Sequence, residues 1–484
     1  MNPQSILTLF DEAALRAMGP LFALSAGAVL VLLCGVIRPL AAARHLVMPA
    51  ALIVAAVLQI GIWNDPIGPV LANTYVADKT SALWGVLFSA ATLLSWMFSL
   101  HYYREDRPFQ LEHDFLMLVT PIGMTLMAGA QDLIVFFVGL ETLSIPLYAL
   151  AAFRRNQARS IEAGLKYFLL GAFAAAFFLY GASLIYMASG SVTFADLRGI
   201  QSPSPLFVAG VGLVLASVFF KISVFPFHLW VPDVYEGSPT PVTALMATGT
   251  KAAAFAFLLS SAFLIPASQA HLIAAVAVIT MAIGNLGALV QKDVKRMLAY
   301  SGIAHAGTIL LVVAAWLRGD LLHQEAVDAA IFYLGAYVFT AAGAFGLLAA
   351  IEHDGQRATT LDSLRGLAHR RPYVAAAMML FMLSLGGIPA TGGFLGKWFV
   401  FSVSYRSGFV AATLIGALLS VVGMGYYLRV IVAMYMQPES AENAASAGEP
   451  RAASTLPMAL ATAVCAALVL AMGFLPGYFL GRMP

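Results

Sequence analysis

Charge is what this sequence lacks. Of its 484 residues only 10% are Asp, Glu, Lys or Arg, against about 25% in an ordinary soluble domain. A chain of this size cannot cover a core with so few polar side chains, which excludes a soluble globular or a disordered protein. Excess charge of one sign is missing too. The 26 Lys and Arg nearly cancel the 24 Asp and Glu, so no basic field points to nucleic acid. Cysteine is almost absent: Cys34 and Cys465 lie far apart inside apolar runs and read as small core hydrophobes, not as a disulfide or metal ligands. There is no Walker motif, no HExxH and no clustered Cys/His set, so neither a bound nucleotide nor a metal is expected.

What is present is apolar sequence, 61% of the chain. A helix needs about 20 such residues to cross ~30 Å of hydrocarbon. Turn and charge clusters divide the runs into about fourteen spans: 19–37, 46–63, 81–100, 113–129, 132–152, 163–188, 206–231, 240–265, 271–290, 297–316, 326–351, 373–402, 409–435 and 456–478. They are rich in Leu, Ala, Phe, Met and Gly and show no period-two alternation, which favours helices over a β-barrel. The expected fold is therefore an all-α polytopic membrane protein. Asp11 and Glu12 precede the first run where a cleaved signal would carry basic residues, so that run is expected to be a retained helix.

Basic residues set the expected orientation. Fifteen fall in one set of alternate loops (Arg38, Arg44, Arg104, Arg107, Arg154, Arg155, Arg159, Lys292, Lys295, Arg296, Arg357, Arg365, Arg370, Arg371, Arg451) and six on the other side (Arg16, Lys79, Arg198, Arg318, Arg406, Arg482). The fifteen go to the cytoplasm, which puts both termini outside. Lys166, Lys221, Lys251, Lys397 and Arg429 are left inside spans, with one deep carboxylate, Glu141. Glu141 lies nine residues past Asp132, or ~13–14 Å, close to the bilayer centre. Lys221 and Lys251 also fall at mid-depth, while Lys166 and Arg429 lie nearer the cytoplasmic ends and can snorkel.

A charge at the bilayer centre costs ~3 kcal/mol or more, so Glu141, Lys221, Lys251 and Lys397 together cost on the order of 10 kcal/mol unless paired or hydrated. One Glu–Lys packing pair would explain two of them and leave two lysines over. A lysine without a permanent counter-ion is a group that can exchange its proton. Pro226 breaks the seventh span five residues after Lys221. Gly386, Gly387, Pro389, Gly392 and Gly393 break the twelfth just before Lys397. Interrupted helices at corresponding places mark ion paths in transporters, although a simple kink is the plainer reading of either. Pro226 and Pro389 lie 163 residues, or five spans, apart, which suggests two five-helix units related by inversion through the membrane. His228 and His305 are each as readily packing residues as proton carriers. Trp63, Trp230 and Trp316 fit interfacial anchors. The stretch from Glu439 to Glu449 reads as a small acidic loop.

Several of these stretches resemble the antiporter-like membrane subunits of respiratory complex I. The resemblance rests on DLIVFFVGLETLSIPLY (Asp132 to Tyr148), FHLWVPDVYEGSPTPV (Phe227 to Val242) and KDVKRMLAYS (Lys292 to Ser301) with the following Ile303-Ala-His305. SIEAGLKYFLLG (Ser160 to Gly171) and the Asp233-Val-Tyr-Glu-Gly loop are most similar to the subunit N family, and the length also fits. The likeness covers roughly residues 80 to 435. It implies half-channels in spans four to eight and nine to thirteen, joined by a polar axis. Glu141 matches the family's fifth-helix carboxylate, Lys221 the lysine of the broken seventh helix, Lys251 the connecting lysine of the eighth and Lys397 the terminal basic residue of the twelfth. Lys166 matches a sixth-helix lysine of less settled role. Flavin (FMN), iron–sulfur clusters and quinone are implied for other subunits and not for this chain.

The expected organisation is residues 1–112 as three N-terminal spans, 113–265 and 271–435 as two half-channel repeats, and 436–484 as the acidic loop with the last span. The resemblance implies a subunit of a proton-translocating NADH:quinone oxidoreductase in a bacterial inner membrane. Neighbouring antiporter-like and small subunits, lipid and protons are its implied partners. The alternatives are a subunit of a multisubunit cation/proton antiporter and a scaffold that does not pump.

Overall fold

The computed structural model describes residues 11–37, 43–103, 111–319, 322–352, 359–439 and 455–480. Apart from one short hairpin, the described chain is helix and connection. In order, the elements are α1 (Glu12–Val36), α2 (Arg44–Asn64), the strands β1 (Gly68–Val70) and β2 (Tyr75–Ala77), α3 (Lys79–Tyr102), α4 (Leu111–Gly129), α5 (Leu133–Ala151) and α6 (Ala158–Ser189). There follow α7 (Pro205–Ile222), α8 (Trp230–Gly237), α9 (Thr240–Ala247), α10 (Gly249–Ser260), α11 (Ala270–Leu289), α12 (Val294–Trp316) and α13 (His323–Ile351). The chain ends with α14 (Pro372–Gly386), α15 (Gly392–Arg406), α16 (Val410–Met436) and α17 (Leu456–Phe474), then the single turn Pro476–Leu480.

Among the described residues, twelve helices are long and apolar enough to cross a membrane. Two of the fourteen expected spans fall outside that group, each for a visible reason. The span at 113–129 is a full helix, α4, but carries Glu112 and Asp114 in its first turn. The span at 373–402 is two half-helices, α14 and α15, meeting at Gly387 to Thr391. The span expected at 206–231 also divides: α7 stops at Ile222 and α8 starts at Trp230, so Pro226 lies in the connection and not in mid-helix. The span at 240–265 is broken as well, at Thr248, whose φ of −108° and ψ of −80° are not helical. The Glu439–Glu449 loop lies almost wholly outside the described residues, as do Arg38, Arg104, Arg107, Arg357, Arg451 and Arg482.

Depth in the bundle is graded. The stretch Thr240–Ser260 is entirely enclosed by protein and Val294–Trp316 nearly so, whereas α16 and α17 bury only 28% of their apolar windows. Without water between helices, association rests on close packing and on satisfied polar groups. Helix starts are fixed by side chains that occupy the orphan N–H groups of the first turn. Asp132 accepts from Val135 N at 2.6 Å and Asp293 from Arg296 N at 2.8 Å. Asp78 and Ser81 form a capping box on α3.

The two aspartates open more than a helix. Leu133 N donates to Val192 O and Phe194 N to Gln131 O, so that Asp132 faces Thr193 in an antiparallel bridge. Val294 N donates to Thr359 O and Leu361 N to Lys292 O, so that Asp293 faces Thr360 in the same way. Corresponding residues are offset by 161 and 167 positions. The helix breaks follow suit, with α7 ending on Ser223 (φ 68°) and α14 on Gly387 (φ 86°), 164 positions apart.

Candidate functional site

Lys221 sits in the last turn of α7 and is 3% exposed. A helix C-terminus carries roughly half a negative charge, which favours a cation there. The helix ends abruptly because Ser223 takes the left-handed conformation, at a cost of about 1–2 kcal/mol for a residue with a Cβ, and Val224 N then turns back to Phe219 O. The ammonium donates to Ser144 Oγ at 2.7 Å and Tyr167 OH at 3.0 Å. It lies 5.1 Å from the Tyr167 ring centre and 5.9 Å from that of Tyr148. Each charged hydrogen bond contributes about 1.5–3 kcal/mol and each buried cation–π contact about 0.5–2. Their sum is comparable with the several kcal/mol lost on desolvating the ion. Neither term dominates, so the ammonium is held without being locked.

The contact expected between Glu141 and Lys221 is not a direct one. No ion pair joins them among the described residues; Ser144, one turn beyond Glu141 on α5, stands between. The field of Glu141 still reaches the lysine. Glu141 itself is half-buried on a face whose neighbours Ile134, Val138 and Ile145 are 49%, 50% and 61% exposed.

Lys251 occupies the first turn of α10, just after the break at Thr248, and is 2% exposed. Its ammonium donates to Gly302 O at 2.6 Å and lies 6.0 Å from the Tyr337 ring centre. No carboxylate pairs with it among the described residues. The approach is close enough that Gly302 is required: a Cβ there would stand 2.8 Å from Lys251 Nζ and 3.0 Å from Tyr337 OH.

From Gly302 a polar chain runs through α12. Ser301 Oγ is hydrogen-bonded to Tyr427 OH. Tyr427 OH lies 3.1 Å from His305 Nε2, and His305 Nδ1 lies 2.6 Å from Tyr333 OH. The ring of Tyr333 rests on Gly396, the residue before Lys397. The charges of both Lys251 and Lys397 reach His305, which stands between them as a hub with both ring nitrogens engaged. Lys397, on α15, reaches back across the break to Leu385 O (2.9 Å) and Gly386 O (3.0 Å), the free carbonyl end of α14. Both broken spans thus place a lysine against a helix C-terminus, one from within the helix and one from the helix that follows.

Toward the side that carries most basic residues, a cavity of about 260 Å³ is lined by Arg159, Glu162, Lys166, Asp233 and Glu236. Lys166 bridges Glu162 (2.6 Å) and Asp233 (3.0 Å), and Arg296 bridges Asp233 (2.7 Å) and Glu236 (2.9 Å). The next residue after Lys166 is Tyr167, the partner of Lys221. Lys166 is therefore a half-exposed member of an ion cluster at a cavity mouth. His228 is buried, but neither ring nitrogen joins a lysine, and Nδ1 has no hydrogen-bond partner. Pro226 and Pro389 lie in the two break connections. Arg429 caps the end of α11 through Leu289 O and Gln291 O.

Sequence reasoning missed the tyrosines. Tyr167, Tyr333, Tyr337 and Tyr427 read as ordinary core aromatics, and only their recurrence beside isolated lysines could have marked them. It also placed Lys295 in a loop, but Lys295 is 3% exposed and its ammonium donates to Ser238 O at 2.5 Å. Trp230 is no interfacial anchor. It is 3% exposed, stacks on Tyr167 at 4.6 Å and donates to Phe220 O, because the break turns it inward. Among the described residues no three His, Cys, Asp or Glu side chains are grouped to hold a metal.

The family described as NADH:quinone oxidoreductase/Mrp antiporter, transmembrane, matches residues 130–423. NADH-quinone oxidoreductase subunit N 2 of Roseiflexus castenholzii is 41% identical over 89% of this chain and 87% of its own length. Subunit N 1 of Solibacter usitatus is 38% identical over 99% of this chain and 96% of its own. Among solved structures, a chain of respiratory complex I from Thermus thermophilus with bound aureothin is 36% identical, with a TM-score of 0.81 over 96% of this chain and 98% of that one. A chain of the Mrp complex from a Dietzia species has a TM-score of 0.82 over 97% and 96% but only 24% identity, a likeness of fold alone.

Proposed function

The chain belongs to the NADH:quinone oxidoreductase/Mrp antiporter family, among its NADH-quinone oxidoreductase N subunits, and on that footing we propose that it moves protons from cytoplasm to periplasm as a membrane-arm subunit of the bacterial enzyme. One observation carries the reading: Lys221, Lys251 and Lys397 each stand at a helix break, held by hydroxyls or carbonyls and, among the described residues, by no carboxylate. A lysine fixed for packing would be paired; these can give up and regain a proton without breaking an ion pair.

A proton enters through the cavity at Lys166 and Asp233 and passes by way of Tyr167 to Lys221, with Glu141 tuning that site from one turn beyond Ser144. From Lys221 it crosses to Lys251, follows Ser301, Tyr427, His305 and Tyr333, and leaves past Lys397. Moving one charge against ~100 mV costs about 2.3 kcal/mol, within reach of one charged hydrogen bond made or lost. The order of the path follows from an orientation with both termini periplasmic and the ion-cluster mouth at the cytoplasm. The matched Asp132–Thr193 and Asp293–Thr360 bridges support two inverted five-helix units, 113–265 and 271–435, within fourteen spans. They are flanked by residues 1–112 and 436–484.

A half-buried Glu141 facing lipid would cost ~3 kcal/mol, so a neighbouring subunit covers this face of α5. FMN, iron–sulfur clusters and the quinone site belong to partner subunits. The cation/proton antiporter reading shares the family, but the Mrp chain is only 24% identical, a likeness of fold, against 41% and 38% for the N subunits. The test is NADH-driven proton uptake per assembled complex in vesicles. Lys221→Ala should abolish pumping, and Glu141→Gln should reduce it less, because the carboxylate acts across Ser144. Normal pumping by assembled Lys221→Ala complex would overturn the proposal.

A further inference from the structure

At the end of the bundle marked by the β-hairpin, α2, α3, α13 and α17 part to leave a groove of about 450 Å³. One face of α3, from Ala82 to Ala90, forms a wall. At the mouth stand Trp63 and Asn64, which end α2, and Tyr478 from the turn Pro476–Leu480. The floor is open at Gly335, where a Cβ would meet only Met472 Cε, at 3.6 Å. Lys79, exposed and first in α3, lies three and four residues before Ala82 and Leu83. Helical periodicity therefore sets Lys79 on the same stripe of α3, one turn before the first lining residues. The neighbouring Asp78 is occupied in the capping box with Ser81, and among the described residues no ion pair involves Lys79.

The depth identifies the occupant. Eleven residues separate Lys79 from Ala90, about 16 Å along a helix, or roughly half of a ~30 Å hydrocarbon core. A spanning helix of another subunit needs a seam through both leaflets; an acyl chain needs one. The rim carries what a phospholipid headgroup meets at an interface, aromatic rings and one cation. We infer that this groove holds one acyl chain of an anionic phospholipid whose phosphate is met by Lys79. No residue of the proton path lines it, so the inference stands apart from the proposed pumping.

The test uses the intact complex in phosphatidylcholine vesicles with trace phosphatidylglycerol bearing a photoreactive acyl chain, and with zwitterionic phosphatidylcholine bearing the same photoreactive chain. Wild-type complex should be labelled on α3 and α13 inside the groove. Gly335→Phe fills the floor and should remove that labelling for both probes. Lys79→Gln, an exposed change, should weaken competition by phosphatidylglycerol against phosphatidylcholine roughly fivefold, the equivalent of about 1 kcal/mol for one basic residue, and leave labelling by the phosphatidylcholine probe unchanged. Groove labelling that persists in Gly335→Phe, a headgroup preference unchanged by Lys79→Gln, or cross-links from the groove to another subunit would each overturn the inference. Should Gly335→Phe not assemble, Lys79→Gln decides alone.

Discussion

Replacing Gly302 with alanine adds one methyl group against the Lys251 ammonium. The new Cβ would stand 2.8 Å from Lys251 Nζ, so the ammonium must retreat by roughly 0.6 Å to reach an ordinary contact of 3.4 Å. The clash falls on the free end of a flexible side chain, with Tyr337 OH at 3.0 Å the second neighbour and no backbone in the way, so the helices need not move, and the complex should assemble. What is stretched is the hydrogen bond to Gly302 O, from 2.6 Å in the native protein to as much as about 3.2 Å, which forfeits part of the about 1.5–3 kcal/mol a charged donor contributes. If transfer past Lys251 limits pumping, that weakening slows it by up to roughly 150-fold, at 1.36 kcal/mol per factor of ten. The measurement is NADH-driven proton uptake per assembled complex in vesicles. Gly212→Ala in α7 is the control, since nothing lies within 4 Å of its Cβ, and it should be silent. Gly302→Ala complex that assembles and pumps at the wild-type rate would show that the Lys251–Gly302 contact is packing.

Two further changes probe the later path. Lys397→Ala leaves Leu385 O and Gly386 O without their donor and should lower pumping and quinone reduction together while the complex still assembles; wild-type stoichiometry would remove Lys397 from the path. Tyr427→Phe keeps the ring but severs Ser301 from His305. It should cut pumping at least tenfold, for a lost hydrogen bond of about 1.5 kcal/mol, with thermal stability falling by no more than that bond is worth; stability loss without pumping loss would make the tyrosine structural.

The buried lysines were legible in the sequence because hydrocarbon makes a charge expensive wherever it stands, and hydropathy therefore isolates it. The breaks at Pro226 and Pro389 were legible from proline and glycine chemistry. The break at Thr248 was not: Thr-Gly-Thr within an apolar run is tolerated by many continuous helices, and only the packing around Lys251 opens this one. Residue contacts were less accessible still. Glu141 and Lys221 are the natural pair by charge, yet Ser144 and Tyr167 take the lysine's donors, because the rotational setting of α5 against α7 is decided by packing. Trp230 and Lys295 were assigned by linear position to an edge and a loop, whereas the α7–α8 break and the tight approach of α12 to Ser238 carry both inside.

The ion pair of Arg154 with Glu352 joins residues 198 positions apart, beside Tyr102 and Thr240. At about 5–20 residues per second of synthesis, Arg154 emerges roughly 10–40 s before its partner exists. Lys251 waits about 3–10 s for Gly302, 51 residues later. During that interval the arginine lacks its carboxylate and the lysine its carbonyl acceptor. The amino-terminal half is thus finished by the carboxyl-terminal half.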